Sequence, residues 1–262
     1  MVQMTRPLMA KGKPVGAGRE PLVCAPLVGK DEAAIAGELA SVVTKAPDLV
    51  EWRVDFFTGV AEPARVVAMA REIRARAGAI PIIFTCRSAR EGGQPVAITQ
   101  DQVLEVYAAV CRAGCADFID WELDSGPVPF ASAVALARET GTQVIGSFHD
   151  FTATPSKAQI VAKLEAMQVA GADVAKVAVM PGELKDVLVL LEATLEARQR
   201  LALPLITMAM GPFGSLSRMF GWVFGSTVSF AVGQKASAPG QVPIEELRAV
   251  LDVLHRALQA RP

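Results

Sequence analysis

The sequence has few residues of the types that most often build disulfide, metal or nucleic-acid sites. Its 262 residues include two histidines, one tyrosine and four cysteines, and its formal net charge is −1. Nucleic-acid-binding proteins usually carry a basic excess, so we expect no nucleic-acid partner. The cysteines form no CxxC pair and match no zinc spacing, so we expect reduced thiols, no metal site and a cytoplasmic protein.

The sequence also lacks an uninterrupted apolar run. Residues 201–234 contain a single charged residue, Arg218, but prolines and glycines break this segment repeatedly. A membrane-spanning helix needs about 20 consecutive apolar residues, so we expect no membrane span. The first 20 residues do not join a basic region to an apolar run and a cleavage site. We therefore expect no signal peptide, and we predict that residues 1–20 are a partly mobile segment.

The sequence is rich in apolar strand patterns that alternate with amphipathic helix patterns. Eight such pairs are typical of a (β/α)₈ TIM barrel, an α/β fold. An open doubly wound sheet is the alternative, but no GxGxxG loop follows the first strand. We predict one barrel domain over residues 21–262. The predicted strands are 22–28, 49–56, 80–87, 117–123, 143–149, 173–180, 204–210 and 228–233. The predicted helices are 31–45, 62–77, 99–113, 129–139, 156–170, 183–200, 215–224 and 244–260.

Lys176 lies in the middle of an otherwise apolar strand. Lysine is rarely buried without a partner or a function, and burial disfavours its ammonium form. A neutral amine is a nucleophile toward carbonyl groups. His149 ends the preceding strand and can move protons. This pair predicts Schiff-base chemistry that needs no cofactor.

Other strands also carry charged residues where a barrel interior is expected. Each has a structural explanation, because strand charges often form ion pairs and a lysine can extend its amine to the barrel end. Catalytic groups in this fold nevertheless come from the carboxyl ends of several strands, and the clustering favours a site. The residues concerned are Glu51, Arg53, Asp55, Arg87, Asp120 and Glu122, with Arg218 flanking the last strand.

Six motifs together resemble those of the type I 3-dehydroquinate dehydratases, the Schiff-base-forming class. The resemblance covers residues 23–255 and implies a barrel enzyme of the shikimate pathway that needs no cofactor. It also implies a homodimer, for which the apolar surface around Trp222 and Phe224 is a candidate interface. The motifs are EWRVD at 51–55, FTCRSAREGG at 84–93, HDF at 149–151, KVAVMP at 176–181, ITMAM at 206–210 and KASAPGQ at 235–241.

The resemblance also implies roles for individual residues. Lys176 forms an imine with the C3 ketone of 3-dehydroquinate, and His149 removes the C2 proton and protonates the departing C1 hydroxyl. Arg218 binds the substrate carboxylate. The remaining implied residues are Glu51, Arg53 and Arg87 on the hydroxyls and ketone, Ser237 and Gln241 on a closing loop, Glu91 as support, and Met208, Met210 and Phe230 as an apolar wall.

The sequence departs from the family pattern at several positions, among them the apolar segment 211–214 and Trp222, and two of the departures concern the surroundings of the implied site. Pro26 stands in the first strand where a serine is frequent, and Phe148 precedes His149 where an asparagine is frequent. Two other functions share features with this sequence. A class I aldolase-type lyase also uses a lysine imine but needs a phosphate site after the last strands. A barrel that serves only as a binding module needs no Lys176–His149 pair.

Overall fold

The computed structural model describes residues 8–10, 12–15 and 20–259. Strands β1 (Leu8–Ala10) and β2 (Lys13–Val15) form an antiparallel pair. The barrel then follows, and its strands pair in parallel in the order β10-β3-β4-β5-β6-β7-β8-β9. Its strands are β3 (Leu22–Leu27), β4 (Leu49–Arg53), β5 (Ile82–Thr85), β6 (Phe118–Glu122), β7 (Gln143–Asp150), β8 (Val174–Val179), β9 (Leu205–Ala209) and β10 (Val228–Phe230).

The barrel closes between its last strand and the strand before it. A bridge joins Leu205 to Ser226, and the Thr227 N–H donates to the Leu205 carbonyl oxygen at 2.8 Å. The predicted (β/α)₈ fold is confirmed. The helices that cover the barrel are α1 (Glu32–Thr44), α2 (Pro63–Ala77), α3 (Gln100–Arg112), α4 (Pro127–Thr140), α5 (Lys157–Val169), α6 (Leu184–Arg200), α7 (Gly211–Phe224) and α8 (Ile244–Gln259).

Three predicted boundaries were wrong by three residues or more. One is the end of the last barrel strand, which lies at Phe230 and not at 233. The second barrel strand ends at Arg53 and continues as a 3₁₀ turn, Val54–Phe56, because the Asp55 carboxylate accepts hydrogen bonds from the Arg87 and Gln94 N–H groups. Helix α7 begins at Gly211, four residues before the predicted start at 215. Proline at the first turn is compatible with a helix, and Gly211 adopts a positive φ of 69°.

Apolar side chains fill the amino-terminal half of the barrel. Ala10 and Val15 of the β1–β2 pair are buried in one cluster with strand residues that face the barrel axis, so the pair packs against this core. Residues 1–7, 11 and 16–19 lie outside the described residues, and the mobility of segment 1–20 stays a prediction. The other core-facing members of the cluster include Cys24, Leu49, Ile83, Phe118, Ile145, Val174, Ile206 and Val228.

Candidate active site

Lys176 is buried in β8, with 4% of its surface exposed. Its Nζ donates to Asp120 Oδ2 at 2.8 Å and lies 3.5 Å from Glu51 Oε1. The same atom lies 4.7 Å from the centre of the Phe230 ring. Opposite charges stabilise a buried ammonium. Asp120, Glu51 and the Phe230 ring therefore fix the position of the Lys176 amine.

Asp120 links Lys176 to the arginine of β5. Its Oδ1 accepts from Arg87 Nη2 at 2.5 Å and from Ser147 Oγ at 2.6 Å. Burial alone would raise the pKa of Asp120, but Arg87 and Lys176 hold it well below its usual range. Sequence analysis included Asp120 among the clustered strand charges but gave it no individual role. Its alternation with Glu122 along one strand face was the available signal.

Arg87 is surrounded by acceptors. Its Nη1 donates to Glu122 Oε1 at 3.1 Å and to Ser147 Oγ at 3.0 Å, in addition to the Asp120 bond. Burial alone would lower the pKa of Arg87, but Asp120 and Glu122 raise it above its usual value. The guanidinium that sequence analysis placed on the substrate thus holds two carboxylates of the site.

His149 lies near the carboxyl end of β7, on its inner face, and is hydrogen-bonded to Glu91. The Glu91 Oε2 atom lies 2.8 Å from His149 Nδ1 and accepts the His149 backbone N–H at 3.0 Å. Burial, reinforced by Arg87 and Lys176, lowers the pKa of His149 well below its usual range, so the imidazole is neutral. Because Nδ1 is bonded, Nε2 is the nitrogen available to a substrate.

Glu91 holds a proton more strongly than an exposed glutamate. Burial and the neighbouring Glu122 raise the pKa of Glu91 to about 8. Its Oε1 is buried and has no hydrogen-bond partner among the described residues. A proton on Oε1 leaves Oε2 free to accept both N–H groups of His149.

The second barrel strand supplies Glu51 and Arg53. Glu51 Oε1 accepts a hydrogen bond from Thr85 Oγ1 at 3.0 Å. Arg53 forms a bidentate pair with Asp55, with both N–O distances at 2.8 Å. Burial alone would lower the pKa of Arg53, but Asp55 raises it. This pairing fixes the guanidinium at the edge of the cavity.

Arg218 differs from the other arginines because it has no carboxylate partner within the described residues. It lies on the inner face of α7, 2% exposed, and its donors reach the carbonyl oxygens of Phe230 at 3.4 Å and Pro239 at 3.3 Å. Its Nε is buried and unpartnered in the described part of the chain. Burial lowers the pKa of Arg218 to about 10. Such a cation favours an anionic ligand.

Most of these side chains line one cavity with an empty volume of about 420 Å³, part of which is open to solvent. Phe151 lines it too and was missed by sequence analysis. The loop after β10 contributes Ser237 and Gln241, which are joined by hydrogen bonds of 2.9 and 3.1 Å. The predicted residues that the cavity brings together are Glu51, Arg53, Arg87, Glu91, His149, Lys176, Met208, Met210, Arg218, Phe230, Ser237 and Gln241.

A family model described as Type I 3-dehydroquinase matches residues 23–257. The chain belongs to the type I 3-dehydroquinase family. It is 62% identical to the 3-dehydroquinate dehydratase of Aromatoleum aromaticum over 98% of both chains. It is 50% identical to that of Geobacillus thermodenitrificans, over 92% of this chain and 94% of the relative.

Solved structures of type I 3-dehydroquinase relatives share the whole architecture. The 3-dehydroquinate dehydratase of Geobacillus kaustophilus superposes with a TM-score of 0.95 at 44% identity, and the match covers 100% of both chains. The type I enzyme of Clostridium difficile gives a TM-score of 0.93 at 40% identity, covering 97% of this chain and 100% of that one.

The activity is that of a type I 3-dehydroquinate dehydratase, a hydro-lyase of the shikimate pathway. The enzyme eliminates water from 3-dehydroquinate. This finding decides against the aldolase-type lyase and the non-catalytic binding module. Among the described residues, no three His, Cys, Asp or Glu side chains are grouped to hold a metal ion.

The departures from the type I 3-dehydroquinase pattern at Pro26 and Phe148 lie in different environments. Pro26 is buried opposite Glu51 in the β3–β4 register. Phe148 lies on the opposite face of β7 from His149, packs against the outer core and lies 4.3 Å from Lys163 Nζ. Phe148 therefore does not contact the face of its strand that carries His149.

Proposed function

We propose that Lys176 dehydrates 3-dehydroquinate through an imine, with His149 as the proton carrier. The observation that supports this most directly is a buried amine, a neutral imidazole and an unpaired arginine in one cavity. Each supplies one requirement of the reaction. The amine bonds the ketone, the imidazole moves a proton and the arginine binds the carboxylate.

In the first step Lys176 Nζ attacks the C3 ketone and a water molecule leaves, giving a protonated imine. His149 Nε2 then removes the C2 proton, and the electron pair moves toward the imine nitrogen to form an enamine. The enamine electrons return as the C1–oxygen bond breaks, and His149 donates its proton so that the hydroxyl leaves as water. Hydrolysis of the imine releases 3-dehydroshikimate and restores the amine.

The substrate is oriented by its carboxylate on Arg218. Guanidinium groups bind carboxylates through two parallel hydrogen bonds, and Arg218 has unused donors in the described structure. Glu51 and Arg53 bind the hydroxyl groups. Ser237 and Gln241 close over the substrate and exclude water. Asp120 and Arg87 hold Lys176 in place before the attack.

Borohydride reduction in the presence of 3-dehydroquinate tests the imine. We expect a covalent mass increase on the peptide that contains Lys176, and none in a Lys176→Met variant, which should also lose turnover. The solved Clostridium difficile relative carries covalent modified comenic acid, which supports covalent chemistry in this fold. Retained turnover with Lys176→Met would disprove the mechanism.

His149→Ala separates imine formation from proton transfer. We expect kcat to fall by about 10²- to 10⁴-fold, the usual contribution of a general acid–base group, while borohydride still traps an adduct. Steady-state kinetics and mass spectrometry of the same preparation measure both effects. Full activity in this variant would remove the role assigned to His149.

The enzyme is proposed to be a homodimer that uses the outer face of α7. Four apolar side chains spaced by three or four residues are exposed there: Phe213 (38%), Leu216 (40%), Phe220 (36%) and Val223 (40%). Contiguous apolar surface of this kind often marks an interface. Trp222 and Phe224, the residues suggested by the sequence, are partly buried against the outer core, so we propose the more exposed residues of the same helix as the interface.

Light scattering on the intact protein tests the dimer. Phe220→Glu should produce a monomer, because a charge in an apolar interface is desolvated without a partner. Val253→Glu is the matched control, since Val253 is also exposed, at 56%, but lies on α8. A wild-type monomer, or a dimer that survives Phe220→Glu, would contradict this interface.

The location proposed for the enzyme is the cytoplasm. All four cysteines are free thiols in the structure, in keeping with a reducing compartment. Among the described residues, no helix is both long and apolar enough to cross a membrane. Fractionation of the source cells followed by an activity assay tests the location.

A further inference from the structure

A second cavity lies behind the active site, on the outer side of the barrel wall. Its empty volume of about 660 Å³, part of which is open to solvent, exceeds the 420 Å³ of the active-site cavity. Its lining includes Val96 and Ile98 from the loop before α3, Val103 from α3, and the aromatic residues Tyr107 and Trp121. An apolar ring is the ligand group that such walls would bury.

Polar and charged residues also line this cavity, and most of them are bonded within the protein. They are Arg87, Ser88, Arg90, Gln100, Asp120, Glu122 and Ser125. Arg90 lines it and is exposed, and its Nη2 donates to the Asp124 carbonyl oxygen at 3.3 Å. Gln100 Nε2 donates to the Ser125 carbonyl oxygen at 3.3 Å, and Trp121 Nε1 donates to Ser125 Oγ at 2.9 Å. A guanidinium has five donors in a planar fork, so Arg90 retains donors that suit a carboxylate.

We propose that this second cavity binds a small aryl carboxylate. The ring lies between Val103 and Trp121, and the carboxylate bonds Arg90. The acidic side chains nearby do not oppose this arrangement, because each has its own partner. Asp120 pairs with Arg87 and Lys176, Glu122 accepts from Ser88 N–H and Oγ at 2.8 and 2.6 Å, and Asp124 pairs with Lys163 at 2.5 Å.

Tyr107, which lines the second cavity, is also hydrogen-bonded to two segments that carry active-site residues. Tyr107 Oη accepts the Cys86 N–H at 2.6 Å and donates to the Asp120 carbonyl oxygen at 2.9 Å. A ligand that moves Tyr107 therefore moves Asp120, which holds Lys176. We expect occupancy to lower kcat without raising KM, an effect that rests on the proposed role of Lys176.

Two probes, benzoate and neutral benzyl alcohol, test the site by NMR without reference to activity. The chain has three tryptophans, so an ¹⁵N spectrum shows three indole signals, and Trp121→Phe identifies the one of interest. Benzoate should shift the Trp121 signal saturably and bind about tenfold more tightly than benzyl alcohol. Arg90→Gln should abolish this difference between the probes.

Filling the cavity provides the second arm of the test. Val103→Phe should abolish binding of both probes, whereas Val169→Phe, at a position 86% exposed on α5, should not. The two other indole signals show whether Val103→Phe remains folded, and Ile98→Phe replaces it if it does not.

Three results would overturn the proposal. These are no shift at Trp121, a shift that survives cavity filling, and purely competitive inhibition by benzoate, which would place the probe on Arg218. The borohydride experiment is independent of these results, so failure of the second site and failure of the imine mechanism are distinguishable.

Discussion

Arg87 and Arg218 are both buried at the carboxyl end of the barrel, but their surroundings are opposite. Arg87 is bonded to Asp120, Glu122 and Ser147, whereas Arg218 reaches only backbone carbonyl oxygens and the Met208 sulfur among the described residues. A buried cation that is fully paired contributes to the stability of the fold. A buried cation without a charged partner has an uncompensated desolvation cost, which an anionic ligand would offset. The difference separates the part of the site that holds Lys176 from the part that we propose receives substrate.

The largest expected effect on stability comes from the paired arginine. Arg87→Met leaves Glu122 without its cation and Asp120 with Lys176 alone, and breaking a buried pair typically costs about 3–5 kcal/mol. Denaturant unfolding should show a loss of this size together with a loss of activity. A variant as stable as the wild type would mean that the network around Arg87 does not support the fold.

Replacing the unpaired Arg218 should reduce activity without reducing stability. Arg218→Met removes a desolvated cation without stranding a carboxylate, so the free energy of unfolding should stay equal or rise. The value of kcat/KM should fall by about 30- to 1000-fold, or ~2–4 kcal/mol of transition-state binding. A substrate analogue without the carboxylate is the control, because the two enzymes should treat it alike. A loss of stability comparable to that of Arg87→Met would contradict the proposed difference between a structural Arg87 and a ligand-binding Arg218.

The smallest expected effect on activity comes from Glu91. This residue lies beside Arg87 and is bonded to His149. Its pKa of about 8 means that it is protonated at neutral pH and ionises as the pH rises past that value. The new charge stabilises the His149 imidazolium and so raises the basicity of the ring. Glu91→Gln mimics the protonated form, so its activity at pH 7 should stay within about threefold of the wild type.

A pH–rate profile of kcat/KM distinguishes the two enzymes. The wild type should show an inflection near pH 8, and Glu91→Gln should lack it. The same inflection in both would assign it to another group.

The strand–helix alternation predicted the barrel, and the alternation of charges predicted which strand faces point inward. The partners of Lys176 could not be predicted in the same way, because they depend on the register between strands. In the observed register Ser147 lies opposite Lys176, and Glu122 lies opposite Ser147. This register brings Asp120, two residues before Glu122, within hydrogen-bond distance of the Lys176 amine. The pattern for α7 contains apolar residues on both faces, so it did not show which one packs inward.

The apolar filling of the lower barrel makes the catalytic cavity blind-ended. Side chains such as Phe118, Ile145 and Val174 occupy the axis, and the β1–β2 pair packs against them. Within the described residues the amino-terminal end of the barrel is filled, so we expect substrate, product and water to pass through the carboxyl end, beside Ser237 and Gln241. Product must leave through this opening before the next substrate molecule can enter. The loop after β10 is therefore placed to affect the rate of product release and so the turnover rate.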